Sequence, residues 1–405
     1  MMSLAGAVQG VRVLDLSRVL AGPFCTQMLA DHGAEVIKVE SPSGDETRRW
    51  GPPFVDEAGT MSAYYQGLNR SKANIALDLR VQRALDVLYD LIARADVVVE
   101  NFKAGTMERW GLGYESRLAK DFPRLVYCRI TGYGVDGPLG GLPGYDAVLQ
   151  AYGGLMSVNG EADGGPLRVG VPIVDITAAH QAFAGVLLAL LERTASGRGQ
   201  LVDVTLFDAV LSLMHPHTAT HLQSGEAPRR TGATHPTVAP YQVFRTAREG
   251  CLFVAAASDA HFAALTEVLG IPHVAEDPRF VRNRDRIVNL RPLLAELEPA
   301  FLGWKAEDLA LALAARGVPA GPVHDVARAL SAPHTGHRSM VVSDGDYRGI
   351  GVPIKLGRSA PTPPRTPTAT GTDTDRVLTE LGYGADQLTA LRRSGALGPA
   401  DAKTD

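Results

Sequence analysis

Ala73-Asn-Ile-Ala-Leu-Asp-Leu79 leads into a stretch where Val81, Leu85, Leu88 and Ile92 recur, and this leads into Asp96-Val-Val-Val99 and then Glu100-Asn101-Phe102. The first run is short and apolar, as a buried strand is. The recurrence that follows, at spacings of four, three and four, marks one face of a helix. The valine run is a second buried strand. Strand, helix, strand within thirty residues is the repeating unit of a parallel sheet, because a parallel neighbour is reached only by a crossover.

The same alternation extends in both directions. Upstream, Val11 to Leu16 and Val36 to Val39 read as strands. Downstream, 124–130 and Val169 to Val174 read as two more, and LVDVTLFDAVLSLM as a strand running into a helix. Helices are therefore expected on both faces of a mostly parallel sheet. In such sheets ligands sit beyond the carboxyl ends of the strands. The ends at Leu16-Ser-Arg, Val99-Glu-Asn-Phe and Val174-Asp are the places to search. Ala178 to Arg193 reads as a helix stopped by Ser196-Gly-Arg-Gly199.

Beyond about residue 222 the character changes. Residues 222–240 are rich in Gly, Pro, Arg and Thr and read as a linker. Residues 241–330 suit a smaller α/β unit, opening with a hairpin (YQVFRTAREGCLFVAAA) and closing at Gly317-Val-Pro-Ala-Gly-Pro322. The Pro/Thr-rich stretch 359–373 is expected to be extended or mobile. Leu378 to Leu391 suits a helical tail broken near Gly382 and Gly384, and no internal repeat is visible.

Composition narrows the function. A chain of 405 residues suits two domains, or one large domain with an insertion. A net charge of -4 offers no footprint for nucleic acid or an anionic membrane. Cys25, Cys128 and Cys251 lie far apart, which argues against a disulfide framework and against structural zinc. Cys128, inside Leu125-Val-Tyr-Cys-Arg-Ile130, is expected to be a buried thiol. The N-terminal residues show no basic flank and long apolar run of a signal peptide. The longest membrane candidate, Ala182 to Leu191, falls short of the roughly 18 apolar residues a span needs. A soluble, cytoplasmic protein is the expectation.

Several residues invite a chemical reading. Gly132-Tyr-Gly134-Val-Asp-Gly137 matches GxGxxG, but Pro138 stands where a dinucleotide fingerprint needs a helix start, so a flexible loop is expected. His217 and His221 share a helix face, yet Pro216 and Thr218 flank the first, where zinc hydrolases place a Glu; no metal site is expected. Asp175 falls between an expected strand and an expected helix. It reads either as an N-cap or as an outward-facing carboxylate, kept ionised by helix N–H groups and available as a nucleophile. Residues 229–236 read either as a solvated hinge or as a mobile lid.

Seven stretches taken together resemble one family. They are VRVLDLSRVLAGPFCTQMLADHGAEVIKVESPSGDETR, LNRSKANIALDLR, DVVVENFKAGTMERWGLGYE, YCRITGYGVDGP, GYDAVLQAYGGLMSVNG, RVGVPIVDITAAH and SGRGQLVDVTLFDA. In this order, from about residue 10 to beyond 380, they are similar to the class III CoA-transferases of the formyl-CoA and carnitine CoA-transferase type. The nearest branch is that of the succinate–hydroxymethylglutarate and glutarate CoA-transferases, where LAGPF, WGPPF, ITGYG and APYQ-F recur.

The resemblance implies that Asp175, the Asp of the RxGxxxxD segment, is the nucleophile. It implies CoA contacts at Arg18, Val19, Leu77, Arg80, Asn101, Phe102 and Arg109, with Tyr145 and Asp146 lining the pocket. Arginines suit phosphates, and an amide and an aromatic ring suit adenine or the pantetheine arm. No permanently bound cofactor is implied; coenzyme A and acyl-CoA are substrates, and the other partner is a small carboxylic acid. The implied fold is a doubly wound, Rossmann-like parallel α/β large domain with a smaller α/β domain inserted, in an interlocked homodimer. Its expected boundaries are 1–222 for the N-terminal part of the large domain, 223–330 for the small domain with its linker, and 331–405 for the return.

The chain also departs from the formyl-CoA branch. Leu20 stands where that branch has Gln, Ser41 where it has Arg, and RTGATHP where it has a four-glycine lid. A larger acceptor than formate or oxalate is therefore expected, with Arg48, Arg168 and His235 as candidates for its distal carboxylate. The α-methylacyl-CoA racemases are similar too, but their catalytic His falls on Tyr145, and a phenol of pKa about 10 is a poor base at neutral pH. CoA transfer from an acyl-CoA to a dicarboxylate is the favoured reading over racemisation or non-catalytic CoA binding. The expected donor is succinyl-CoA and the expected acceptor a dicarboxylate such as glutarate or hydroxymethylglutarate, with aspartyl anhydride and aspartyl-CoA thioester intermediates. A monocarboxylate or a hydroxy acid such as malate is the alternative acceptor.

Overall fold

The structure, a computed structural model, describes residues 6–398. It divides into two compact units: Met1–Gly154, Val169–Ala219 and Gly336–Asp405 form the first, and Leu155–Arg168 with Thr220–Thr335 form the second.

The first unit is built on β1 (Arg12–Asp15), α1 (Ala21–Asp31), β2 (Glu35–Glu40), β3 (Lys72–Ala76), α2 (Gln82–Ile92), β4 (Val97–Glu100) and β5 (Val126–Thr131). It continues with α3 (Asp146–Tyr152), α4 (Ile173–Ser196), β6 (Leu201–Thr205) and α5 (Leu206–Leu213). The six strands form one sheet in the order β3-β2-β1-β4-β5-β6, every neighbouring pair parallel. The order reverses between β1 and β4, which is the topological switch point of a doubly wound sheet. The central strands read as continuous apolar runs because both faces are covered; all four residues of β4 are buried. Residues Leu85, Leu88, Leu91 and Ile92 of α2 are buried in a core shared with Ile75, Val98 and Tyr127. Cys128 is fully buried in β5.

One expected strand does not form. Val169 to Val174 contains Gly170 and Pro172, which deprive a ladder of a packing side chain and of a donor. The chain instead runs without regular structure to Pro172, and α4 begins at Ile173. Helix α4 is also longer than the apolar run Ala182–Leu191 indicates. Its length and composition alone would suit a membrane span. It packs Val174, Ala178, Ala182 and Val186 inward and carries Asp175 in its first turn. Gly197 ends it in the left-handed conformation expected of a glycine stop.

In the second unit, β7 (Tyr241–Arg245) and β8 (Cys251–Ala255) form the antiparallel hairpin, and β9 (Ala320–Pro322) adds to β8. Helices α6 (Asp259–Val268), α7 (Leu290–Leu302) and α8 (Ala306–Ala315) pack Phe262, Leu265, Leu297, Phe301 and Leu309 into its core. Residues 229–236 are tied within this unit. Arg230 donates to the carbonyls of Gly164, Ser157 and Glu161, and Gly232 N–H to Gly160.

The chain then returns to the first unit through a hairpin of β10 (Val341–Asp344) and β11 (Tyr347–Ile350), α9 (Thr374–Leu381) and α10 (Ala385–Arg393). The Pro/Thr-rich stretch between hairpin and α9 has no regular structure but is pinned along β3. Ser71 N–H bonds to Arg365, Gly371 N–H to the Asn74 side chain, and Asp373 N–H to the Asn74 carbonyl.

Candidate active site

A cavity of about 260 Å³ opens at the carboxyl ends of the strands, across the switch point. Arg18 and Val19 follow β1, Asn101 and Phe102 follow β4, Thr131 and Gly132 end and follow β5, and Leu206 follows β6. Tyr145 and Asp175 complete the wall. Of the residues expected to act together, the fold therefore gathers Arg18, Val19, Asn101, Phe102, Tyr145 and Asp175 around one space.

The turn after β1 is held under strain. Val19 has φ of 68°, a left-handed backbone that a β-branched residue adopts only when its surroundings force it. Its N–H points to Asp45 Oδ2 at 3.3 Å. Asp45 is in turn 3.3 Å from Lys38 Nζ, both side chains fully buried, and Lys38 also donates to the carbonyl of Ser17. Beside them Lys72 bonds to Asp15 at 2.9 Å. Lone buried charges are costly, so these pairs are fixed points under the crevice.

Asn101 occupies both ends of its amide with the same turn. Arg18 N–H donates to its Oδ1 at 2.8 Å, and its Nδ2 donates to the Arg18 carbonyl at 2.7 Å. It clasps the β1 and β4 ends together. The Arg18 guanidinium lies exposed over the Phe102 ring, 5.7 Å from its centroid. Below, Glu100 accepts the Phe102 N–H at 2.7 Å, and burial pushes its carboxyl up to about 7.

Asp175 is the third residue of α4, half-buried, and is not its cap. The N–H groups that were expected to hold it ionised go elsewhere. Asp146 Oδ1 accepts Val174 N–H at 2.8 Å and Asp175 N–H at 3.3 Å. Among the described residues no group donates a hydrogen bond to the Asp175 carboxylate. Burial and the neighbouring Asp146 charge raise it to about 7, against the depressed value a cap would have.

Other expected residues lie outside the cavity wall. Asp146 is buried behind it. Leu77 sits in the core and bridges Leu397. Arg80 is exposed and paired with Asp78 at 2.7 Å, and Arg109 is exposed and donates to Thr106 Oγ1 at 2.8 Å. Arg48, expected as a candidate for the acceptor's distal carboxylate, is instead buried outside the cavity wall, its Nε and Nη2 bonded to Glu40, the Tyr65 hydroxyl and the Thr368 carbonyl. Arg168 and His235 belong to the second unit. Among the described residues no cluster of His, Cys, Asp or Glu is arranged to hold a metal ion.

The expected loop at 132–144 proves to be part of the wall. A Cβ on Gly132 would sit 2.8 Å from the Gly144 nitrogen, so the two glycines are pressed backbone to backbone. Lys103 and Glu46 also line the cavity. The signal for Lys103 was its place beside Phe102; nothing local marked Glu46.

Fold and cavity define an α/β enzyme in which the Asp175 carboxylate, free of hydrogen-bond donors among the described residues, lines a crevice at the switch point of a parallel sheet. The chain belongs to CoA-transferase family III, whose model matches residues 8–374. It is 37% identical over 383 residues to a succinate–glutarate CoA-transferase of Agrobacterium fabrum, covering 92% of this chain and 95% of that one. It is 38% identical to a succinyl-CoA:mesaconate CoA-transferase of Haloarcula hispanica, covering 94% and 97%. Its fold matches the crystal structure of a CAIB/BAIF family protein from Brucella suis with a TM-score of 0.86 and 38% identity, over 93% of this chain and all of that one.

Proposed function

We propose that the enzyme moves CoA from succinyl-CoA to a second dicarboxylic acid, of the size of glutarate or a related five-carbon diacid, with Asp175 carrying the acyl group. The observation that carries this reading is the Asp175 carboxylate, which faces the cavity free of protein donors. The relatives named for succinyl-CoA and glutarate or mesaconate support the choice of acids.

The Asp175 carboxylate attacks the thioester carbonyl. The C–S bond breaks, giving an aspartyl–succinyl anhydride and CoA thiolate, a fair leaving group because thiol pKa values are about 8.5. The thiolate then attacks the aspartyl carbonyl, the C–O bond breaks, and succinate leaves an aspartyl-CoA thioester. The acceptor carboxylate displaces the thiolate to form a new anhydride. The thiolate attacks its acceptor carbonyl, releasing the new acyl-CoA and the Asp175 carboxylate. One negative charge is carried through each step, so no general base is required. Arg18 and Lys103, both at the cavity, supply positive charge for anionic substrates.

The test is incubation with succinyl-CoA and a panel of carboxylic acids, following acyl-CoA products by mass. A new dicarboxyl-CoA with release of free succinate is expected. Asp175→Ala is expected to abolish transfer while CoA binding, measured by calorimetry, persists. Near-normal turnover by that variant would sink the mechanism. Deuterium entry at the α-carbon of a branched acyl-CoA, with no exchange onto any acid, would assign the site to a racemase instead. A homodimer is part of the same proposal, and a monomeric mass in solution would refute it.

A further inference from the structure

We propose that Asp146 is the positioning residue for the Asp175 nucleophile: its carboxylate caps the helix that carries Asp175 and fixes a negative charge beside it. This rests on the reading of Asp175 as the nucleophile.

Helix α4 begins after Pro172, which has no side chain able to cap, so its first N–H groups need an outside acceptor. Asp146 Oδ1 takes two of them, one being the N–H of Asp175 itself. Asp146 Oδ2 accepts from Gln150 Nε2 at 2.7 Å, and Gln150 Oε1 accepts Val169 N–H at 2.9 Å. Asp146 and Gln150 lie one turn apart on α3 and face together. They grip the irregular segment 169–175 at both ends. Without them Gly170 and Val171, which belong to no strand and are exposed to solvent, leave the start of α4 free to shift.

The second effect is electrostatic. Asp146 is buried, so its charge is poorly screened. A like charge makes a carboxylate harder to ionise and therefore more basic, and a more basic carboxylate is a stronger nucleophile toward a thioester. The raised value of about 7 at Asp175 agrees in direction. Tyr64 also feels the Asp175 charge, and Tyr145, Arg18, Glu46 and Lys103 are the other titratable or charged groups sharing the cavity wall with it.

The experiment is the pH profile of kcat/KM, from about pH 5 to about pH 9, whose acid limb reports the free enzyme. Asp146→Asn keeps an oxygen for the helix N–H groups and removes the charge. Its acid limb is expected to move down by ~1 pH unit. Asp146→Ala removes both, and its plateau kcat is expected to fall ~100-fold. Glu100 also titrates near 7, so the wild-type limb alone assigns nothing; the displacement between variants does. An unmoved limb in Asp146→Asn, with Asp175→Asn inactive, overturns the role of Asp146 and leaves the nucleophile standing. Retained transfer in Asp175→Asn overturns the nucleophile and this inference with it. Should Asp146→Asn not fold, Gln150→Ala keeps the charge and releases the grip. Its kcat is expected to fall ~10-fold with the limb in place, and an unchanged kcat refutes the positioning role.

Discussion

Asp175 is held where its charge is disfavoured, and this has a measurable effect on stability. Its folded value of about 7 lies above the ordinary 3.8. The folded state therefore keeps the proton that the unfolded chain loses first. This contribution is full at pH below about 4, declines as pH rises through about 7, and is flat beyond. Asp175→Asn should raise Tm most above pH 7, with the gain shrinking toward pH 4. Allowing for solvent screening at a half-buried group, the gain is on the order of 1 kcal/mol. Calorimetric melts across that range check it. The same trade appears at Val19. Val19→Gly relieves the left-handed strain and should stabilise the fold by about 1 kcal/mol, while freeing the turn should raise KM for acyl-CoA several-fold. At this scale the sequence marked Arg18, Asn101 and Asp175 but not the groups that hold them in place. Hydrogen-bond partners such as Asp45 and Asp146 lie 26 and 29 residues away from the groups they hold. No local pattern records such pairs.

Secondary structure shows where pattern reading works and where it stops. Strands β1 to β6 and helix α2 were legible because their apolar spacing is dictated by two covered faces. Residues 169–174 were not, because Val-Gly-Val-Pro-Ile-Val has strand-like composition while its Gly and Pro forbid the ladder. The assignment of 155–168 to the second unit left no mark in composition either. The loop around Gly132 makes a prediction at the same scale. Gly132→Ala forces a methyl against the Gly144 backbone, so the 142–145 segment must move and carry Tyr145 with it. A loss of about 1–3 kcal/mol in denaturant melts is expected, with transfer activity lost further than stability. Leu88→Ala, in the core of α2 and far from the cavity, should cost about 2–5 kcal/mol and leave kcat unchanged in the folded fraction.

For the molecule as a whole, the three thiols divide by environment. Cys25 and Cys128 are fully buried, and burial raises both thiols well above their ordinary range; Cys251 is partly exposed. One fast-reacting thiol in the native protein and three in denaturant is the expected titration. The first unit also depends on both ends of the chain. Strand β3 is the outer strand of the six, and residues 365–373 and 396–398 lie along it: Ser71 bonds to Arg365, Asn74 to Asp373, Asp78 to Ala396, and Ala76 to Gly398. Synthesis delivers β3 early and its cover last. While the ribosome makes the intervening three hundred or so residues, that edge offers open backbone groups to any neighbouring nascent chain. A chain cut after residue 358 should therefore clump during translation, visible as turbidity, and supplying 359–405 in trans should clear it.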